Sequence, residues 1–445
     1  MKPISFSALA KLLGLEHSCQ SLIHGVAIDS RQVKSGDLFF ALPGNRVDGH
    51  AFLQEAALKG AVGAVIRKEY CGAAFGLPLL GVSDVLLSLQ DFARKSLARR
   101  KSKVIAITGS LGKTTTKEFA STLLRTHYRV FSNPLSYNSQ ATVPLSILMA
   151  DETEDYLILE MGMTHEGNIK NLISIAPPDI SLLTTLSIQH ANNFSDGLSG
   201  ISREKASIFT HPKTELGILH RDIHDYEEVY ASGGCYKKSF SMSSSHADYF
   251  LETLEKGVLI HVKGEGSYAM ELDLPIQVHY QNFLAAVVLA RSLDVPWPSI
   301  REAAPLLKLP PMRFEKVERQ GIIFINDAYN ANPEAMKAAL ANLPKPKEGG
   351  KIIAVLGEMD ALNMYSEGEH ALVAETALQY IDYLLCLGPR CKTMQQIWVR
   401  EKKPVQLFET RSDLETALKK LTDPGDVVLL KGARKHALDQ VLNCF

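Results

Sequence analysis

The chain has 445 residues, 46% of them hydrophobic and 22% charged, with 48 basic side chains against 49 acidic ones. That length exceeds one hydrophobic core, so two to four domains are expected. Near-neutral charge argues against nucleic-acid binding by bulk electrostatics, and six scattered cysteines without a C-x-x-C pair read as reduced packing residues of a cytoplasmic protein.

The N-terminal MKPISFSALAKLLGLEH is split by Lys11 and reads as a short amphipathic helix, neither a signal peptide nor a membrane span. Residues 1–82 read as a small α/β unit, with strands over 26–28, 37–41 and 61–66. Ser30 and Arg31 follow the first strand, and Asp48, Gly49 and His50 open a helix, so polar groups gather at one edge. Taken singly, each is as well explained as a cap or surface residue.

Residues 83–311 read as a nucleotide domain. A helix over 86–99 and a basic linker lead into KVIAITGSLGKTTTKE. The apolar run 104–108 is a buried parallel strand; Gly109, Ser110, Leu111 and Gly112 form a turn, and Lys113, Thr114 and Thr115 open a helix. Backbone N–H groups at such a turn cradle phosphate. Lys113 reaches a terminal phosphate, and Thr114 offers the hydroxyl that ligates Mg²⁺. This is a compact P-loop of form T-G-x-x-G-K-T-T.

Downstream, a polar loop over 134–144 carries Asn138, and a strand over 156–159 delivers Glu160 to the crevice edge. A strand over 180–185 precedes His190, and a helix carries Lys205. One carboxylate, one imidazole and phosphate oxygens suit a hard divalent cation. Residues 216–273 read as alternating short strands and turns with no legible motif, and 239–245 is expected as a loop. The apolar helix over 282–290 begins at Asn282, and five prolines between 296 and 311 mark the next boundary.

Residues 312–445 read as a third α/β unit, with strands over 322–325, 351–356, 383–387 and 426–430. The first ends in NDAYNANP (Asn326–Pro333), the last in Lys431 and Arg434, which read equally as solvated basic residues. The fold class is therefore α/β, in three units with mostly parallel sheets. Residue logic alone gives an enzyme using ATP and Mg²⁺, with the phosphoryl acceptor left open.

TGSLGKTTTKE, the Glu160-Met-Gly segment, His190 with Lys205 downstream, and NDAYNANP resemble the Mur ligases of cell-wall precursor synthesis. DSR and GNRVDGHAF in the first unit and LLKGARKHALDQVL at the end match in the same order. NDAYNANP is similar to the form in the member that adds a dipeptide. The resemblance implies a UDP-precursor domain, a central ATPase and a C-terminal Rossmann-like domain.

It further implies ligation of D-Ala-D-Ala to UDP-MurNAc-tripeptide through an acyl phosphate, small-molecule partners only, and a monomer. Lys113 and Thr114 would hold the γ-phosphate and one Mg²⁺. Glu160, His190 and a carbamylated Lys205 would ligate metal. Asn282 and Tyr329 would border the adenine, with Asp327 at the ribose, Arg313 at the phosphates and Asn330 also in the nucleotide site. Ser30, Arg31, Asp48, Gly49 and His50 would surround the UDP moiety, with Asn138 also a substrate-binding residue. Lys431 or Arg434 would stabilise the oxyanion.

Six positions depart from the family pattern: Ser139 and Thr142 in the Asn138 loop, Met312 for a glycine, Thr185 for an asparagine, Val278 for a histidine with His279 one place off, and Ser207 for an acid. The competing readings are a sibling ligase adding one amino acid, folylpolyglutamate synthetase, and a P-loop regulator that ligates nothing. The absence of a D-N-P-R signature argues against the third-residue ligase.

Overall fold

The computed structural model describes residues 2–44, 47–187, 193–360, 362 and 365–445. Among these, a four-stranded, a nine-stranded and a six-stranded sheet follow one another along the chain, with a two-stranded pairing at the N-terminus. The N-terminal helix is Phe6–Leu12, capped by the Ser5 hydroxyl, which accepts from the Ala8 N–H. None of the described helices is long and apolar enough to cross a membrane.

The first unit is an all-parallel sheet of Gly25–Ala27, Asp37–Phe40, Gly63–Arg67 and Leu79–Val82. One of its faces is not self-contained. Leu38, Phe40 and Val65 pack in a continuous apolar core with Leu89 and Phe92 of the helix Val85–Leu97 and with Val104 and Leu157 of the central sheet. The other face, with Phe39, Ala64 and Ile66, closes over its own helix Leu53–Leu58.

In the central sheet the strand Lys103–Thr108 lies between Tyr156–Glu160 on one side and Ile180–Leu183 on the other, all parallel. Chain order reverses direction at that strand, so the crevice beyond its C-terminal end is where such a sheet binds its ligand. The helix Gln277–Ser292, buried on most of its circumference, packs against the helix Lys113–Leu124.

The segment that carried no motif extends this sheet. Leu216–His220 and Tyr236–Ser241 add parallel strands, and Tyr249–Leu254, Gly257–Val262 and Gly266–Met270 finish it as an antiparallel meander. The loop expected over 239–245 thus begins three residues late, after Ser241. Ser239 and Ser241 are buried strand residues, because Asp248 and Asp222 satisfy their hydroxyls. Serine is neutral as a strand signal, and only those partners reveal it.

In the third unit the strands Ile322–Asn326, Val427–Lys431, Ile352–Gly357, Tyr383–Leu387 and Val405–Phe408 are parallel neighbours in that order, with Glu315–Arg319 antiparallel at the edge. All six cysteines are free thiols.

Candidate active site

The P-loop takes its shape from its two glycines. Gly109 has φ +148° and Gly112 φ +80°, and a Cβ on either would fall within 2.2 Å of a neighbouring side chain, Thr184 or Asn282. Only glycine fits both. The strand-end segment after Leu183 braces the turn: the Ser110 N–H donates to the Thr185 carbonyl (2.7 Å), and the Leu111 N–H donates to the Thr185 hydroxyl (3.1 Å). Threonine at 185 therefore does a bracing task. The Ser110 hydroxyl is itself engaged, donating to the Ser187 carbonyl and accepting from the Ser187 N–H.

Two lysines converge on this turn. Lys113 donates to the carbonyls of Gly109 (2.7 Å) and Ser110 (3.1 Å), and Lys205 donates to the same Gly109 carbonyl (2.9 Å). Burial lowers the pKa of both ammonium groups. For Lys113 the pull of Glu160 works against burial, while Arg313 adds to it. For Lys205 the shift is larger, because burial is reinforced by the positive charge of Lys113. Its neighbour Glu204 turns away, accepting the N–H groups of Gly167 and Ile169 at a helix start and so fixing the helix Leu198–Ala206.

Opposite the lysines sits Glu160, which is 1% exposed. Its carboxylate accepts from the Thr114 hydroxyl (2.8 Å) and from the Asn138 side-chain amide (2.6 Å). Thr114 also shares a 2.9 Å hydrogen bond with Ser136. These are hard oxygen donors clustered beside a phosphate cradle, and their chemistry fits Mg²⁺. His190 lies outside the described residues.

These groups line a cleft of about 630 Å³ whose far wall belongs to the third unit. Arg313 lies over the Tyr329 ring, 4.0 Å from its centroid. The residues flanking Arg313 take left-handed backbone, Met312 at φ +58° and Phe314 at φ +57°. Glycine would adopt the first without strain, which is what the departure at 312 amounts to.

The parallel register that sets Asn326 beside Leu430 brings Asp327 and Lys431 together at the strand ends, as a buried ion pair of 2.5 Å. Lys431 is thus engaged by Asp327. Arg434, half exposed and paired with Asp439, is not among the cleft-lining residues, so the two basic residues expected at the oxyanion occupy different places.

Ser110, Gly112, Lys113, Thr114, Thr115, Asn138, Glu160, Lys205, Asn282, Arg313, Asp327, Tyr329, Asn330 and Lys431 all border the cleft. The first-unit candidates do not. Ser30 donates to Glu55 (2.6 Å), and Arg31 folds back on Asp29 (2.7 Å). His50 accepts the Arg67 N–H at Nε2, so its Nδ1 carries the proton donated to Asp48 (2.5 Å). Gly49 packs against the Leu42 backbone, where a Cβ would come within 2.6 Å of its carbonyl oxygen. A bridge joins this edge to the cleft: the Tyr137 hydroxyl donates to Gln32 (3.3 Å) beside the Ser30–Gln32 turn.

Gln281 and His220 line the cleft without having been anticipated, and His279, noted one place from the family's histidine, joins them. His279 is buried with Nδ1 unpartnered. Gln281 bonds His220, which ends the strand Leu216–His220 and pairs with Asp222 at 3.2 Å. Lys117 and Asn133 lie behind the cleft; only Lys117, four residues after Lys113 on the same helical face, had a sequence signal.

A P-loop at the switch point of one sheet, facing a Rossmann-like unit across a shared cleft, defines an ATP-dependent ligase. Three family models match the chain: the Mur ligase family catalytic domain over residues 22–76, the Mur ligase middle domain over 107–290, and the Mur ligase glutamate ligase domain over 312–434. A Bacillus subtilis (strain 168) protein named UDP-N-acetylmuramoyl-tripeptide--D-alanyl-D-alanine ligase is 30% identical, over 95% of this chain and 93% of its own length.

The crystal structure of MurF ligase from Thermotoga maritima in complex with ADP is similar at TM-score 0.76 and 27% identity, covering 95% of this chain and 96% of that one. A MurF crystal structure from Acinetobacter baumannii shares the fold at TM-score 0.86 and 24% identity, covering 100% and 98%. The chain belongs to the Mur ligase family.

Proposed function

We propose that this enzyme ligates D-alanyl-D-alanine to UDP-N-acetylmuramoyl-tripeptide at the expense of ATP, giving the pentapeptide precursor of peptidoglycan. The observation that carries the reading is the single cleft in which Lys113, Thr114 and Glu160 of the central unit face Arg313, Asp327 and Tyr329 of the third. The relatives' names and the NDAYNANP segment support the choice of dipeptide. Residues 1–82 bind the UDP precursor, 83–311 bind ATP, and 312–445 bring the amine.

On this reading the tripeptide carboxylate attacks the γ-phosphorus and ADP leaves; the dipeptide amine then attacks the acyl phosphate and phosphate leaves. Both partners of the first step are anionic, so positive charge and positioning do most of the work. Lys113, at the helix start, meets the γ-phosphate by leaving the Gly109 and Ser110 carbonyls. Arg313, braced on Tyr329, closes on the phosphates from the other wall. Asn282 and Tyr329 border the base, and Lys431 holds Asp327 toward the ribose.

Thr114 and Glu160 would hold Mg²⁺, with His190 and Lys205 at a second ion, and the metal would neutralise phosphate charge. Lys205 is held toward the free amine, the form that takes up carbon dioxide to become a carbamate. Closure of the third unit over the second would keep water from the acyl phosphate. The enzyme works as a monomer in the cytoplasm, where ATP is made, without nucleic acid and without membrane insertion. Mass detection of the product from ATP, UDP-MurNAc-tripeptide and D-Ala-D-Ala tests the reading; a product extended by a single amino acid would redirect it to a sibling ligase.

A further inference from the structure

Lys117 is fully buried on the inner face of the P-loop helix and does not line the cleft. Its ammonium group donates to the carbonyls of Asn133 and Leu135, both at 2.5 Å, and lies 3.2 Å from the Glu118 carboxylate. A buried cation aimed at two loop carbonyls fixes that loop's path.

The loop is bent against its own preference. Leu135 has φ +49°, a conformation that a side chain disfavours, and its side chain is two-thirds exposed, so packing does not hold it there. Lys117 grips the carbonyl of that same residue, and the Tyr137 N–H closes the turn by donating to the Pro134 carbonyl (3.1 Å). Asn133, fully buried, extends the grip: its side-chain carbonyl accepts the Glu160 N–H (2.8 Å), and its amide donates to the Tyr137 carbonyl (2.5 Å). On the far side of the bend, Ser136 meets Thr114 and Asn138 meets Glu160.

We propose that Lys117 is a positioning residue for phosphoryl transfer: by pinning the 133–138 bend it sets Ser136 and Asn138, and through them the orientation of Thr114 and Glu160. Neither the P-loop lysine nor the nucleotide needs Lys117 as a contact. Its effect falls on the chemical step and not on nucleotide affinity. This rests on the ATP-dependent ligase reading, which wild-type turnover in the same assay tests separately.

The experiment compares Lys117→Met, Leu135→Pro and Leu135→Gly with wild type, measuring kcat and KM for ATP by phosphate release, ADP affinity by calorimetry, and Tm. Leu135→Pro forces a negative φ while Lys117 stays intact. Leu135→Gly accepts the positive φ without strain. Lys117→Met and Leu135→Pro should each lower kcat by about 100-fold, with KM for ATP and ADP affinity held within about threefold, as a small displacement of reacting groups does. Leu135→Gly should stay near the wild-type rate. Should Lys117→Met fail to fold, Leu135→Pro carries the test alone. Wild-type kcat in Leu135→Pro, or loss of ADP binding in step with kcat in a folded variant, overturns the proposal.

Discussion

Thr114 donates its hydroxyl to Glu160 across 2.8 Å, tying the first turn of the P-loop helix to the end of the neighbouring parallel strand. Two elements far apart in sequence thereby present oxygen donors to one point beside the phosphate cradle. Thr114→Ala should lower ligation by about 100-fold or more while UDP-precursor binding to the first unit is unchanged, and Thr114→Ser should recover most of the rate. Steady-state kinetics with calorimetry of the UDP precursor checks both. Loss of precursor binding alongside ligation would show that the shared core makes the first unit dependent on the second.

Gly112 stands at φ +80° with the Asn282 amide oxygen 2.2 Å from where a Cβ would be. Gly112→Ala must therefore move either the loop or the helix that borders the base. ADP affinity should fall by about tenfold or more, the cost of one strained backbone position. Calorimetric titration of ADP measures it.

Asp327 and Lys431 form a pair in which each is the other's main compensation. Lys431→Met leaves a carboxylate with little solvent, and should destabilise the enzyme by about 3–5 kcal/mol in denaturant unfolding. The double variant Asp327→Leu with Lys431→Met should regain most of that stability yet stay inactive. This outcome would separate the pair's role in folding from its role toward the nucleotide.

His279 gives a pH dependence of defined sign. Burial, with Arg313 and Lys431 adding repulsion, pushes its imidazole from 6.5 down to about 3. Between those values the unfolded chain binds a proton that the folded chain refuses. Stability from this group is therefore complete above 6.5 and declines as pH falls toward about 3. His279→Phe should flatten the slope of unfolding free energy against pH in that window by up to one proton, read from denaturant midpoints at successive pH values.

The parts of the site that depend on local spacing were legible in the chain. The P-loop, Glu160 and the Asp327 segment each sit at the end of a short apolar strand, and a parallel sheet sends all such ends to one edge. Partner choice was not legible. Lys431 looks like any basic residue until the register of two distant strands sets it against Asp327. The Ser239 strand was hidden because its polar side chains are satisfied by Asp248, a partner that sequence does not reveal. Lys117 was readable as sharing a helical face with Lys113, but its target is a loop announced only by Asn133-Pro134, and no glycine or asparagine at 135 signals the positive φ there. Left-handed backbone at Met312, where glycine would be relaxed, likewise surfaces only in three dimensions.

The central claim is that the tripeptide carboxyl is activated by phosphorylation before the amine arrives. UDP-MurNAc-tripeptide carrying ¹⁸O in its terminal carboxylate, turned over with ATP and D-Ala-D-Ala, measures this directly. One labelled oxygen should appear in each phosphate released, with the other retained in the new amide. Phosphate free of label, or phosphate release that proceeds without tripeptide and dipeptide, would contradict the account.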